Sequence, residues 1–263
     1  MKINVSKLMK KNRSLFLACD QGLEHGPKDF NLKNIDPTYI LDIALEGNYN
    51  GVILQHGLAE KYYHEHYKDV PLIVKLNGKT ALPHIEPISK QLCSVDRAIK
   101  LGASAVGYTL FPGSEFEPEQ FENFGKVVEQ AHDAGLPVIA WMYPRGKAIP
   151  NDEDTNTIAH AARIGLELGA DFLKLKYNHD VEGYKWVVKN AGRARVLTAG
   201  GTKETPEHFL RKTYEILQTG ATGLAIGRNI WQSKQPFSLT HALREIIFNN
   251  KKVEDVLHYL NEK

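Results

Sequence analysis

Short apolar runs recur along the chain, each followed by a polar loop and then by a stretch of helical spacing. The runs are SLFLAC at 14–19, GVILQ at 51–55, PLIVKL at 71–76, SAVGYTL at 104–110, PVIAWMY at 137–143, FLKLKY at 172–177, RVLTA at 195–199 and GLAIG at 223–227. They predict eight strands. Between them the period changes, so that Phe121, Phe124, Val128 and Ala131 share one face of a helix. Thr205-Pro206 reads as an N-cap and a first-turn proline, while Gly102, Gly135, Gly169 and Gly220 each end a helical pattern just before a strand. Strands that alternate with helices at roughly 30-residue intervals imply βαβ units and a parallel sheet. Eight such units predict a single α/β domain, a (β/α)8 TIM barrel over 1–263, with a short helical extension at about 252–261 that caps the barrel or meets another subunit. An open doubly wound sheet is the alternative, but DQGLEHGPKDF follows the first run where such folds place GxGxxG.

Composition narrows the function. The 263 residues are 42% hydrophobic and 24% charged, enough apolar material for one sizeable core without a disulfide or metal staple. Thirty-three Lys+Arg stand against 31 Asp+Glu, a formal charge of +2 that argues against a nucleic-acid partner. Cys19 and Cys93 lie far apart and outside any CxxC or CxxH spacing, as in a reducing cytoplasm. The N-terminal stretch lacks a signal-type apolar region and no later stretch reaches the ~18 apolar residues of a membrane span. A cytoplasmic location without a membrane partner is therefore expected.

In a barrel the chemistry sits at the C-terminal ends of the strands. Polar residues stand there on five of them: Asp20 after the first, Lys75 on the third, Trp141 and Tyr143 on the fifth, Lys174 and Lys176 on the sixth, and Gly200-Gly201 after the seventh. Residues at i and i+2 share a strand face, so Lys174 and Lys176 are expected to point inward together while Leu173, Leu175 and Tyr177 point out. An ammonium among aliphatic side chains is either paired or driven toward its neutral form, and a second cation nearby pushes the same way. Lowering a lysine from ~10.4 to ~7–8 involves about 4 kcal/mol and yields an amine that can attack a ketone to give a Schiff base. The other reading pairs one or both lysines with Asp20 or another carboxylate. Tyr143 either moves a proton beside strand six or forms a pocket wall with Trp141.

Two glycine turns, TAGGTK and IGRNIWQ, follow strands seven and eight, where barrels often bind phosphate. Their N–H groups, the start of a short helix near Asn229 and the Arg228 guanidinium suit a phosphorylated ligand. Arg145 and Lys147 are weaker candidates for a second phosphate, with ordinary surface charge as their simpler reading. His64 and His66 in YYHEHY lie two apart on an expected helix and have no third ligand at metal spacing, so no metal site is predicted.

The ordered set DxGxEHGPxDF at Asp20 to Phe30, LIVKLNGKT at Leu72 to Thr80, WMYPRG at Trp141 to Gly146, KxxY…D at Lys174 to Asp180, Gly200-Gly201, and GRNIWQ at Gly227 to Gln232 resembles archaeal-type class I fructose-1,6-bisphosphate aldolases, over about residues 14 to 232. The resemblance implies that Lys174 forms the Schiff base, a choice that strand parity leaves open against Lys176. It further implies that Tyr143 is the general acid/base, that Asp20 assists proton transfers, that Trp141 lines the sugar site, and that Gly200, Gly201, Gly227 and Arg228 hold a phosphate. It implies reversible, metal-independent cleavage of fructose 1,6-bisphosphate without a cofactor, in a large homo-oligomer such as a decamer. Gln21, Ala199 and Asn178-His179 depart from the pattern, and Ala199 removes a hydroxyl donor to phosphate. Related enzymes with the same Lys/Tyr apparatus include a transaldol aminodideoxyheptulosonate synthase and a thiolase-like enzyme of signalling-sugar breakdown. A barrel that only binds sugar phosphates is the non-enzymatic alternative.

Overall fold

A computed structural model describes residues 3–261; residues 1–2 and 262–263, the ends of the expected 1–263 domain, lie outside it. Eight parallel strands close into a barrel: β1 Ser14–Cys19, β2 Gly51–Gln55, β3 Leu72–Lys75, β4 Ala103–Leu110, β5 Val138–Met142, β6 Phe172–Leu175, β7 Arg195–Ala199 and β8 Gly223–Ile226. β1 pairs with β2 on one side and β8 on the other, which removes every free edge. All eight apolar runs form strands, and the closed order rules out the open sheet.

The helices begin and end where the caps placed them. Thr205 accepts from the His208 N–H at the start of helix Pro206–Gln218, and Gly102, Gly135, Gly169 and Gly220 all have positive φ. On helix Glu117–Asp133, Phe124 and Ala131 are buried, and Phe121 and Val128 pack against the same core. One hairpin was not expected: Asn77–Gly78 pairs antiparallel with Lys90–Gln91 just beyond β3.

Inward side chains fill the barrel as a small core of their own. Phe16, Ile53, Ile73, Ala105, Ile139, Phe172, Leu197 and Ala225 meet inside it, with Phe16 and Phe172 edge to face at 5.9 Å. Val5 and Leu8 join this cluster and bring the N-terminal segment against it. At the other end of the chain Val253 and Val256 are buried and a 3-10 turn, Leu257–Leu260, packs near helix Pro236–Asn249.

Two expectations fail locally. β6 stops at Leu175, short of the expected end at 177, so Lys176 lies past the strand and is partly exposed, although it lines the same cavity as Lys174. YYHEHY is not one helix either: helix His56–Tyr62 ends at its first tyrosine, and a 3-10 turn, Glu65–Asp69, starts after an extended His64. Glu65 at φ 50 breaks the helical run.

Candidate active site

A cavity of about 340 Å³ opens at the C-terminal ends of the strands and is lined by Asp20, Lys75, Trp141, Tyr143, Lys174, Arg145, Gly200, Gly201, Gly227 and Arg228, among others. Every residue singled out from the sequence as catalytic or substrate-binding, apart from the weaker candidate Lys147, is on that wall. Lys147 is exposed and off it, and His64 is exposed elsewhere.

The floor of the cavity follows from strand register. Lys75 pairs across the sheet with Gly107, Thr109 with Trp141, and Trp141 with Lys174. Gly107 has no side chain to occupy its inward position, and an added Cβ would lie 2.3 Å from Trp141 Cζ3. The indole therefore lies back over β4 beside both lysines, with Lys75 Nζ 5.4 Å and Lys174 Nζ 5.1 Å from its ring centroid. A glycine inside a strand is the usual mark of such a close approach, so SAVGYTL carried the signal unread.

The two buried lysines differ in their partners. Lys174 is 6% exposed and makes no ion pair among the described residues. Burial pushes its pKa down from the lysine value, Asp20 pulls it back up, and Arg228 adds to the lowering. Lys75 is 3% exposed and donates to the Asn77 carbonyl (2.9 Å) and Oδ1 (2.7 Å). Burial lowers it to about 8, Asp20 pulling up and Lys174 pushing down. Asn77 is itself fixed by Nδ2 bonds to the Ser89 and Thr109 carbonyls and by the Thr109 N–H.

Lys176 behaves as the salt-bridge reading foresaw. Its ammonium meets Asp152 at 3.1 Å and Glu153 at 2.9 Å, and these ion pairs outweigh burial and raise its pKa. The cation that lowers Lys174 further is thus Arg228 and not Lys176, and Lys75 lines the same cavity.

Tyr143 sits one residue past β5, partly buried against the inner core. Burial raises its pKa, with Asp20 adding to the effect, so the phenol is held protonated. The Arg145 guanidinium lies 5.3 Å from its ring and 3.9 Å from Glu24 Oε1, and Glu24 also meets Lys79 at 3.4 Å. Arg145 thus lines the mouth instead of standing as plain surface charge.

On the opposite wall the loops after β7 and β8 come together. Gly201 has φ 71, and the N–H groups of Gly201, Thr202 and Gly227 meet no backbone carbonyl among the described residues. A Cβ on Gly227 would lie 2.7 Å from the Ala18 carbonyl oxygen. Arg228 donates to the Gly201 carbonyl (3.3 Å) and lies 3.7 Å from Asp29, which also meets His25 at 2.6 Å. The DQGLEHGPKDF segment therefore supplies Asp20 to the cavity and Asp29 as a brace for Arg228. Gln21 lines the cavity, and Ala199 presents only a methyl there. Asn178 turns away to bond Thr155 Oγ1 at 2.8 Å.

A buried amine without a carboxylate partner, beside a protonated phenol and a carboxylate, can form and break carbon–nitrogen and carbon–carbon bonds at a ketone. The profile of the DeoC/LacD family aldolases matches residues 14–233. This chain belongs to that family. It is 46% identical over 252 residues to a class 1 fructose-bisphosphate aldolase of Thermoproteus tenax, covering 95% of each chain. It is 37% identical to a Methanocaldococcus jannaschii protein named fructose-bisphosphate aldolase/6-deoxy-5-ketofructose 1-phosphate synthase, covering 97% of this chain and 88% of that one. Among solved structures it superposes, with TM-score 0.89 and 44% identity over 93% of this chain and 97% of the other, on an archaeal fructose-1,6-bisphosphate aldolase whose catalytic lysine is bound to the carbinolamine intermediate of the substrate. Among the described residues no helix is long and apolar enough to cross a membrane.

Proposed function

We propose that this aldolase reversibly cleaves fructose 1,6-bisphosphate to dihydroxyacetone phosphate and glyceraldehyde 3-phosphate through a Schiff base on Lys174. The observation that carries the reading is the Lys174 amine, 6% exposed and without an ion pair or hydrogen bond among the described residues, whereas Lys75 is engaged by Asn77, at the strand-six end of a cavity that also holds Tyr143 and Asp20. The class 1 name of the T. tenax relative and the lysine-bound carbinolamine of the archaeal structure agree with it.

Neutral Lys174 attacks C2 of the open-chain ketose, and Tyr143, which burial keeps protonated, gives its proton to the departing carbinolamine oxygen. The iminium then draws the electrons of the C3–C4 bond toward nitrogen. The phenolate takes the proton of the C4 hydroxyl as the aldehyde leaves, and returns it to C3 of the enamine before hydrolysis frees the second triose. Asp20 balances the charge that appears on Lys174 and relays protons close to it. Trp141 forms the wall beneath the sugar carbons. Gly200, Gly201, Gly227 and Arg228 hold the phosphate on C1. Arg145, on the Tyr143 side of the mouth, takes the phosphate on C6. The reaction uses no cofactor. The protein acts in the cytoplasm as a homo-oligomer, which light scattering checks directly.

The paired name of the M. jannaschii relative favours one second reading, aldol transfer to another acceptor by the same lysine, of which the aminodideoxyheptulosonate synthase reaction is an example. Incubation with fructose 1,6-bisphosphate alone separates the two, since a transferase turns over quickly only when an acceptor is added. Borohydride reduction in the presence of dihydroxyacetone phosphate tests the common step. The adduct is expected on Lys174, and Lys174→Met neither traps nor turns over; an adduct on Lys75 or Lys176 overturns the assignment.

A further inference from the structure

Behind the phosphate loops lies a buried amide that neither the strand pattern nor the catalytic scheme uses. Asn229, 5% exposed, is the second residue of the short helix Arg228–Trp231. Its Nδ2 donates to the carbonyls of Gly200 and Thr202, both at 2.9 Å, and its Oδ1 accepts from the Glu204 N–H at 2.8 Å. One side chain from the loop after β8 thereby fixes three peptide groups of the loop after β7. Two cations draw on the same backbone: Lys212 Nζ donates to the Gly200 carbonyl at 3.3 Å while ion-paired with Glu204, and Arg228 donates to the Gly201 carbonyl at 3.3 Å.

The arrangement has a consequence for an anion. In a trans peptide the carbonyl of one residue and the N–H of the next point in opposite directions. Engaging the carbonyls of Gly200, Gly201 and Thr202 orients the N–H groups of Gly201, Thr202 and Lys203 away from those donors. It also takes out of play three oxygens that would repel a phosphate. The loop would otherwise be free to flip its peptides, since Gly201 already occupies positive φ.

We propose that Asn229 is the positioning residue of the phosphate subsite. It turns carbonyl oxygens of the Gly200–Glu204 loop away from the anion and locks that loop to Gly227 and Arg228, so that both loops receive the phosphate as one preformed unit. The proposal rests on the reading above that these loops bind the C1 phosphate.

The test compares borohydride trapping by dihydroxyacetone phosphate and by unphosphorylated dihydroxyacetone in the full-length protein. In the native protein the phosphorylated ketone is expected to trap at far lower concentration. Asn229→Ala should reduce the ratio of the two half-saturating concentrations by about tenfold, the loss corresponding to buried hydrogen bonds no longer made. A variant that weakens both ketones in equal proportion, or leaves the ratio intact, overturns the proposal, because an amide with a purely structural role has no reason to discriminate phosphate. Absence of any preference in the native protein removes the phosphate reading itself, and the proposal with it. Should Asn229→Ala not fold, amide hydrogen exchange on the native protein decides: inorganic phosphate should slow exchange in residues 201–204 and 227–229 together. Slowing of one group without the other overturns the coupling.

Discussion

Inside the barrel, two regions are built from the same strands one inward step apart. Along β3 the inward residues run Ile73 then Lys75, along β5 Ile139 then Trp141, and along β6 Phe172 then Lys174. The first of each pair belongs to a sealed apolar layer; the second faces the cavity. On β3 and β6 two residues of travel thus separate a side chain whose burial supports folding from a lysine whose burial opposes it, while on β5 Trp141 belongs to the apolar cluster and faces the cavity at once. Aliphatic and aromatic groups gain roughly 1.5–3 kcal/mol each on leaving water, while a buried ammonium loses its hydration and either finds donors and acceptors or gives up a proton. The apolar layer anchors the strands from which the lysines project, and the lysines are driven toward the neutral form because the layer beneath them is dry.

The sharpest way to break that comparison is to mutate one member of a single pair at a time. Phe172→Ala removes a fully buried ring that meets Phe16 edge to face, and should destabilise the fold by about 3–5 kcal/mol in urea denaturation. Lys174→Met, two residues on, should abolish borohydride trapping and turnover while holding or raising the denaturation midpoint. If Lys174→Met unfolds the protein as Phe172→Ala is expected to, the lysine is part of the structural core. Lys176→Met should trap and turn over, because its ammonium serves Asp152 and Glu153 at the rim.

Tyr143→Phe sharpens the same boundary on β5. The ring that packs on the inner core is retained and only the oxygen is lost, so stability should hold while turnover falls by ~10²–10⁴. Substrate binding, read from half-saturation in trapping, should change little. An unchanged rate would make Tyr143 a wall residue like its neighbour Trp141.

Gly107→Ala is expected to act at intermediate strength. A single methyl placed 2.3 Å from Trp141 Cζ3 must displace the indole that lies beside both Lys75 and Lys174. Overpacking of this kind costs about 1–3 kcal/mol. Denaturation should report the cost, and turnover should fall with it as the wall beneath the sugar moves. Full activity in Gly107→Ala would show that the indole position is not what the site depends on.

Local order in the chain made much of this readable. Each strand is a short apolar run between a helix-ending glycine and a polar loop, so all eight could be counted, and parity along β5 and β6 placed Trp141 and Lys174 inward. The features that escaped depend on where a strand stops or on contacts between distant residues. Lys176 follows the same alternation as Lys174, and only the end of β6 at Leu175 separates them. Lys75 was visible as a polar residue in an apolar run, but its acceptors come from Asn77, which is held in turn by Ser89 and Thr109. Asn229 resembles any residue at the start of a short helix until the loop after β7 folds against it. The roles of Gly107 and Arg145 are likewise set by Trp141 and Tyr143 across the sheet and the mouth.

The last effect concerns Lys75, whose burial should leave turnover aside and mark only the dependence of stability on pH. Its pKa falls from 10.5 in the unfolded chain to about 8 in the fold. Below about pH 8 the amine is charged in both states and the cost of burying that charge is fully present. Between about pH 8 and 10.5 the native protein has released a proton that the unfolded chain still holds, so stability rises with pH across this interval, by up to about 3 kcal/mol. Lys174 is displaced in the same direction, while the buried tyrosines, whose pKa values rise on folding, oppose the trend at the alkaline end. Those groups are present in Lys75→Met as well and largely cancel when the two proteins are compared. The loss of two bonds to Asn77 adds only a pH-independent offset. The stability of Lys75→Met relative to the native protein should therefore decline steadily as pH is raised from about 8 to about 10 in urea titrations. A flat difference would mean that Asn77 and Asp20 hold the Lys75 ammonium charged throughout. In that case Lys75 would be a permanent cation beside Trp141, and the mouth would differ from the apolar layer by a fixed charge as well as by polarity.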